Sequence, residues 1–104
     1  MPWCTNEGMS YFVVTREPGP AWAAASSTRE QEQWTEHAAF MEALVDDGFV
    51  VLGGPLGEGP TTLLIVDSGS EDEIRARLGK DPWTPLDLLS ISSIEPWEVL
   101  LSSM

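Results

Sequence analysis

The first half of the chain contains one strand pattern followed by one helix pattern. Residues 10–16 (SYFVVTR) are rich in β-branched and aromatic side chains, which is typical of a strand, and the Pro- and Gly-rich residues 17–20 interrupt it. Apolar side chains then recur at steps of three and four residues, which predicts a helix from about Arg29 to Asp47 with Thr28 as its N-cap. The apolar face of this helix consists of Trp34, His37, Ala38, Met41, Leu44, Val45 and Gly48.

Two more strand patterns follow this helix, with a turn between them. Residues 49–52 (FVVL) predict a short strand, and residues 61–67 predict a second one. The segment between them, residues 53–60, is dense in Gly and Pro. We therefore expect a hairpin turn to connect the two strands.

The last part of the chain predicts a short helix and a final strand. Ser70 begins the sequence Ser-Glu-Asp-Glu, a capping box with Glu73 at the third helical position, and the helix is expected to end near Gly79. Residues 89–101 then predict a strand, in which Pro96 indicates a sheet edge or a bulge.

The order strand, helix, strand, strand, helix, strand is typical of the α+β class and predicts a ferredoxin-like βαββαβ fold with an antiparallel sheet. Neighbouring apolar residues such as Leu64 and Ile65 point to opposite faces of a strand, so both faces of this sheet are apolar. Two helices can cover only one face. We expect a second copy of the chain to cover the other, which makes the protein a homodimer.

Length and charge limit the functions open to the chain. Its 104 residues fit a single domain, which we expect to span residues 10–104 after a flexible N-terminal extension over residues 1–9. The formal net charge of −12 would repel nucleic acid and anionic membranes, so neither is expected as a partner.

Other sequence features concern the compartment. Cys4 is the single cysteine, so no intramolecular disulfide can form. No segment approaches the ~20 apolar residues that span a bilayer, and the first residues lack a basic flank followed by an apolar run. We therefore expect a cytoplasmic protein with no membrane contact.

Three motifs together suggest a family. Residues 37–56 run from a helix histidine to a strand that ends in Gly-Gly-Pro-Leu, Asp81-Pro82-Trp83 follows the second helix, and Ile94-Glu-Pro-Trp97 lies in the last strand. In this order and spacing, over about residues 10–101, the chain resembles the YciI-like (YCII-related) family.

That resemblance implies a homodimeric α/β barrel in which a histidine and an aspartate face a cavity. In this chain they are His37 and Asp81, which we expect to be the catalytic residues. The chain differs from the shorter members in its long loop, residues 17–28, and in its N-terminal extension. The best-defined chemistry in the family is that of a dehydrochlorinase, so the resemblance implies a lyase-type reaction.

The predicted topology brings the candidate residues to one end of the sheet. The first helix starts at that end, the second strand finishes there at Gly54 and Pro55, and the second helix delivers Asp81 to the same place. The three tryptophans Trp22, Trp34 and Trp83 are candidates for the walls of a substrate site. The turn at Gly53, Gly54 and Pro55 is a candidate for close approach of a ligand to the backbone, with main-chain N–H groups of the turn as donors.

Each candidate residue also has a purely structural interpretation. His37 could be a core histidine bonded to a backbone carbonyl, and an aspartate before a proline is ordinary turn chemistry. The Gly-Gly-Pro segment could be a simple hairpin, and the tryptophans could serve packing. Sequence alone leaves both interpretations open.

Two functions therefore remain from the sequence. The first is a cofactor-independent lyase, in which His37 moves a proton on a small organic molecule, with aromatic compounds among the options, while Asp81 orients the ring. The second is a non-catalytic homodimer that binds a small molecule in the same cavity. A single His and a single Cys cannot supply a usual zinc site, although Glu36 and Asp81 leave a weak His-carboxylate site open. The Gly-rich segment lacks the Lys-Ser/Thr pair of a phosphate loop, so we expect neither metal nor cofactor.

Overall fold

Strands and helices follow one another in the predicted order. The structure, a computed structural model, describes residues 10–57 and 59–103. The predicted flexible extension, residues 1–9, lies outside the described residues. The elements are β1 (Tyr11–Pro18), a 3₁₀ turn (Thr28–Glu30), α1 (Trp34–Asp46), β2 (Val50–Pro55), β3 (Thr62–Asp67), α2 (Glu71–Leu78) and β4 (Leu89–Trp97).

The four strands form one antiparallel sheet in the order β2-β3-β1-β4. This arrangement confirms an α+β fold, and it is compatible with the ferredoxin-like prediction. Strand β4 lies at an edge, where Pro96 is tolerated because the missing N–H is not needed by a further strand. The irregularity in β4 is at Ser92, which lies between the residues that pair with Thr15 and Arg16 of β1. Pro96, in contrast, pairs with Phe12 in regular register.

The first helix begins later than predicted. Helix α1 starts at Trp34, and residues 28–30 form a separate 3₁₀ turn that is closed by the Ser27 N–H donating to the Glu30 carboxylate at 2.8 Å. Gln33, which precedes the helix, has a left-handed backbone with φ of 56°, so the chain changes direction there. The predicted cap at Thr28 is therefore wrong, because Ser27 and Glu30 satisfy the local backbone before the helix begins.

The Gly-Gly-Pro segment is also different from the prediction. Gly53, Gly54 and Pro55 are the end of strand β2 and pair with β3, and the turn begins only at Leu56, whose N–H donates to the Thr61 carbonyl at 2.8 Å. A Cβ at Gly53 would come within 2.7 Å of the end of the Leu64 side chain, so a larger residue here requires that side chain to move.

The core lies between one face of the sheet and both helices. Alternate strand residues such as Val14 and Val66 are fully buried against Leu44 of α1 and Ile74 and Leu78 of α2. The second helix starts as predicted, because the Ser70 side chain accepts a hydrogen bond from the Glu73 N–H at 3.1 Å. In the part of the chain that the structure describes, neither helix is long and apolar enough to cross a membrane.

The opposite face of the sheet carries a second set of apolar side chains. Val13 pairs with Ile65 across β1 and β3, and Ile65 pairs with Leu52 of β2. Of these three, Leu52 is 56% exposed. Both helices pack on the other face, so this face, which we call the outer face, is defined by Val13, Leu52, Leu63 and Ile65.

Candidate functional site

A buried carboxylate, that of Asp81, connects three separate parts of the chain. Both of its oxygens lie near His37 Nδ1, at 2.9 and 2.8 Å, and Oδ2 also accepts a hydrogen bond from Arg16 Nη2 at 2.8 Å. The backbone N–H of Trp83 donates to Oδ1 at 2.9 Å. Asp81 is completely shielded from solvent, and Arg16 is only 2% exposed.

Local structure after α2 sets the position of this carboxylate. The Asp81 N–H donates to the Leu78 carbonyl at 3.1 Å, which continues the end of the helix, and the Thr84 N–H donates to the Asp81 carbonyl at 2.9 Å. The side chain then turns back to the Trp83 N–H, a local bond that aspartate makes readily in turns. The turn interpretation and the site interpretation of Asp81 are thus compatible with each other.

Asp81 is held in its charged form. Burial alone would raise the pKa of its carboxyl, but hydrogen bonds from His37, from the Trp83 N–H and from Arg16, together with the charge of Arg16, outweigh burial and hold the pKa below its ordinary value of 3.8. The carboxylate is therefore ionised near neutral pH and can only accept hydrogen bonds.

An ionised Asp81 determines the tautomer of His37. Because the carboxylate only accepts, Nδ1 of His37 must carry the hydrogen that lies between them. In the neutral ring Nε2 is then the basic nitrogen, and it makes no hydrogen bond to the residues that the structure describes. The ring is further fixed by Trp83, which stacks on it at a centroid distance of 3.7 Å with 4° between the planes.

Three tryptophans surround this histidine. Trp83 is 1% exposed, and its indole N–H donates to the Glu32 carbonyl at 2.5 Å. Trp22 meets Trp83 edge to face at 5.7 Å, and Trp34 lies 5.7 Å from the His37 ring. Aromatic packing in this geometry is favourable beyond simple burial, so the cluster holds His37 in one orientation.

The loop that carries Trp22 is anchored at two places. The Gly19 N–H donates to the Leu88 carbonyl at 2.9 Å, and a Cβ at Gly19 would come within 2.2 Å of the Asp87 carbonyl oxygen. Gln31 is 5% exposed, and its amide bonds the N–H and the carbonyl of Ala23, each at 2.9 Å. These contacts fold the long loop back over the end of the sheet.

A cavity of about 330 Å³ opens between α1 and this end of the sheet. The volume is at the lower end of the range of about 300–1,000 Å³ that is typical of small-molecule sites. Five of the seven predicted site residues line it, namely Trp22, Trp34, His37, Gly54 and Trp83. Asp81 lies behind His37, and Pro55 is an exposed residue of β2 that is not among the lining residues.

Two important residues were missed by the sequence analysis. Arg16 was assigned only to a strand, although it is two residues after Val14 and therefore on the same face as the core. A basic residue on a core-facing strand position was the signal that could have identified it. Gln31 carried no such signal, because it was assigned to a helix that begins only at Trp34.

No group of three or more His, Cys, Asp or Glu side chains that could hold a metal ion occurs within residues 10–57 and 59–103.

No protein-family model matches this chain, and no curated protein matches it either.

Proposed function

We propose that the protein is a cofactor-independent lyase that uses His37 as the general base. The observation that supports this proposal is the orientation of the imidazole, with Nδ1–H held by the Asp81 carboxylate at 2.8 Å and His37 among the residues that line the cavity. A ring held in this way presents Nε2 as the basic nitrogen and requires no rearrangement before it accepts a proton.

The reaction is an elimination on a small organic molecule. His37 Nε2 takes a proton from a carbon atom, the electron pair of that C–H bond forms a double bond, and a leaving group such as chloride departs from the neighbouring carbon with its own electron pair. The resulting imidazolium is stabilised by the charged Asp81 beside it. Loss of the proton from Nε2 to water then restores the neutral ring.

We further propose that the chain is related to the YciI-like family and acts as a cytoplasmic homodimer of the α/β-barrel type. Support comes from the contact between His37 and Asp81, which are the residues that the resemblance selects, and from the apolar outer face of the sheet. The net charge of −12 supports a partner other than nucleic acid.

Substitution of His37 by asparagine tests the proposed base. The asparagine amide can donate to Asp81 in place of Nδ1, but it offers no basic nitrogen in place of Nε2. We expect turnover to fall by about 10²- to 10⁴-fold, the usual contribution of a general base. Turnover is measured as halide release or as proton exchange in D₂O, on a substrate found by screening halogenated and hydroxylated aromatic compounds.

Ligand binding and thermal unfolding are the controls for this variant. We expect the dissociation constant of His37→Asn to stay near that of the natural protein and its melting temperature to fall only modestly, because the bond to Asp81 is replaced while the stacking on Trp83 is lost. Undiminished turnover in this variant would remove His37 as the base. Ligand binding without any His37-dependent turnover would favour the second candidate, a small-molecule-binding homodimer.

A further inference from the structure

The guanidinium of Arg16 has more hydrogen-bond donors than partners. It carries five N–H groups, of which one from Nη2 meets Asp81 and one from Nη1 points to the Met41 sulfur at 3.6 Å. Nε is shielded from solvent and has no partner among the described residues. Buried donors without partners are rare in folded proteins because they lose their hydrogen bonds to water, and the loss is greater for a charged group.

The charge of Arg16 is only partly neutralised. Among the residues that the structure describes, Asp81 is its single carboxylate partner at hydrogen-bond distance, and that carboxylate also accepts bonds from His37 and from the Trp83 N–H. A guanidinium whose counter-ion is shared, and which keeps a free donor, can accept a second anion. Arg16 is among the residues that line the cavity, as well as a second one of about 310 Å³ that it shares with Arg75.

The remainder of the cavity determines the kind of anion. Arg16 is the single Lys or Arg side chain among the residues that line it, and the exposed Glu42 carries a negative charge on the same cavity. The chain as a whole carries a net charge of −12. Both features oppose a multiply charged anion such as a phosphate ester, and one cation suits one negative charge.

The other lining residues favour a flat, apolar body. Trp22 and Trp34 provide aromatic surface, and Val45, Val50, Leu64 and Leu89 provide aliphatic surface. Aromatic and aliphatic walls with one charged group are the usual composition of a site for a small organic acid, in which the charged group fixes the orientation.

We propose that the cavity binds a small, planar monocarboxylate, with the carboxylate on the Arg16 guanidinium and the apolar body against the tryptophans. This inference deepens the proposed function, because it names the class of substrate that His37 acts on. Binding to Arg16 places the carboxylate beside the Asp81–His37 pair, since Arg16 and His37 contact the same Asp81 oxygen at 2.8 Å. Arg16 is a binding residue in this scheme, and His37 the base.

Two probes of nearly the same shape, one charged and one neutral, test the proposal. Benzoate and benzamide are nearly isosteric, and only benzoate carries a charge. We expect calorimetry or ligand-observed NMR to show benzoate binding at least about tenfold more tightly than benzamide, because a charge-assisted bond to a buried guanidinium is considerably stronger than a neutral one. Inorganic phosphate, as a more highly charged anion, should bind more weakly than benzoate.

Two variants separate anion binding by Arg16 from a purely structural role as the counter-ion of Asp81. Arg16→Met removes the charge and keeps the length of the side chain, and we expect the preference for benzoate over benzamide to disappear. Asp81→Asn leaves Arg16 charged and removes the carboxylate that competes with the ligand for Arg16. The preference for benzoate over benzamide should therefore increase while turnover is lost. Arg77→Met, which removes an arginine that lines no cavity with Arg16, should leave the preference unchanged.

Several results would overturn the proposal. Equal affinity for benzoate and benzamide, absence of saturable benzoate binding at millimolar concentration, tighter binding of phosphate, or an unchanged preference in Arg16→Met would each do so. If Arg16→Met fails to fold, the Asp81→Asn variant takes its place. The proposal is then overturned if that variant shows no increased preference for benzoate over benzamide. These binding results do not depend on turnover, so a failed His37→Asn test would remove the proposed reaction and leave the carboxylate site in place.

Discussion

Replacing Asp81 with alanine is expected to lower the free energy of unfolding by about 3–5 kcal/mol, because removal of one partner leaves the other charge of a buried pair uncompensated. Arg16 is 2% exposed and pairs with the Asp81 carboxylate at 2.8 Å. The same substitution also deprives His37 Nδ1 and the Trp83 N–H of their acceptor. Chemical denaturation followed by tryptophan fluorescence measures the change.

A surface aspartate provides the matched control for this variant. Asp46 is exposed at the end of α1, and Asp46→Ala is expected to change the unfolding free energy by less than about 0.5 kcal/mol. A loss below about 1 kcal/mol for Asp81→Ala would show that water can replace the carboxylate and that the three contacts contribute little.

Acid should produce the same loss in the natural protein. The pKa of Asp81 is lower in the folded chain than its ordinary value of 3.8, so the unfolded chain takes up the proton first as pH falls. The stabilisation from this group is fully present above that ordinary value and is lost as pH falls below it through the lower folded pKa. Urea denaturation at a series of pH values should show a smaller acid dependence in Asp81→Asn.

The order of the elements was predictable because the signals behind it are local. The β-branched run of β1 and the Ser70 cap of α2 each depend on a few neighbouring residues, and both elements occur in the structure. Strand β1 continues through Glu17 and Pro18, where a break was predicted, because both residues pair with β4. The late start of α1 was not predictable from periodicity. The bond from the Ser27 N–H to Glu30 and the buried amide of Gln31 hold residues 28–31 outside the helix.

The candidate site was predictable only in part, for a related reason. His37 and Asp81 could be selected from a family pattern and from topology. Arg16 was selected by neither, because its partner Asp81 is 65 positions away. The signal that could have identified it was its place as a basic residue on a core-facing strand position. Pro55 was selected for a turn that the chain makes one residue later, beginning at Leu56.

The outer face of the sheet is the surface on which the proposed homodimer depends. Leu64 and Ile65 are neighbours in β3, but Leu64 belongs to the core beneath the helices and Ile65 lies on the outer face. A charge at Leu64 would therefore unfold the chain, so a Leu64 variant cannot test dimerisation. Leu52 pairs with Ile65 on the outer face and is 56% exposed, which makes it the better position for a test.

Leu52→Glu is expected to convert the dimer to a folded monomer. Glutamate at an exposed position costs little in a monomer, but an unpaired carboxylate buried in a subunit interface costs several kcal/mol. In a two-fold dimer both copies carry the charge, so we expect the dimer dissociation constant to rise by more than about 100-fold. Sedimentation velocity over a concentration series measures that constant, and circular dichroism confirms that the monomer is folded.

Val45→Glu is the matched control, because Val45 is 52% exposed and lies on α1, on the other side of the sheet from the outer face. If dimerisation uses the outer face, the two glutamate variants must differ, since each adds the same charge at nearly the same exposure and one of them alone lies in the interface. Equal dissociation constants for both variants would place the interface elsewhere, and a natural protein that sediments as a monomer at micromolar concentration would remove the dimer altogether. In that event Leu52 and its neighbours on the outer face would stay open to solvent, as single apolar side chains often are.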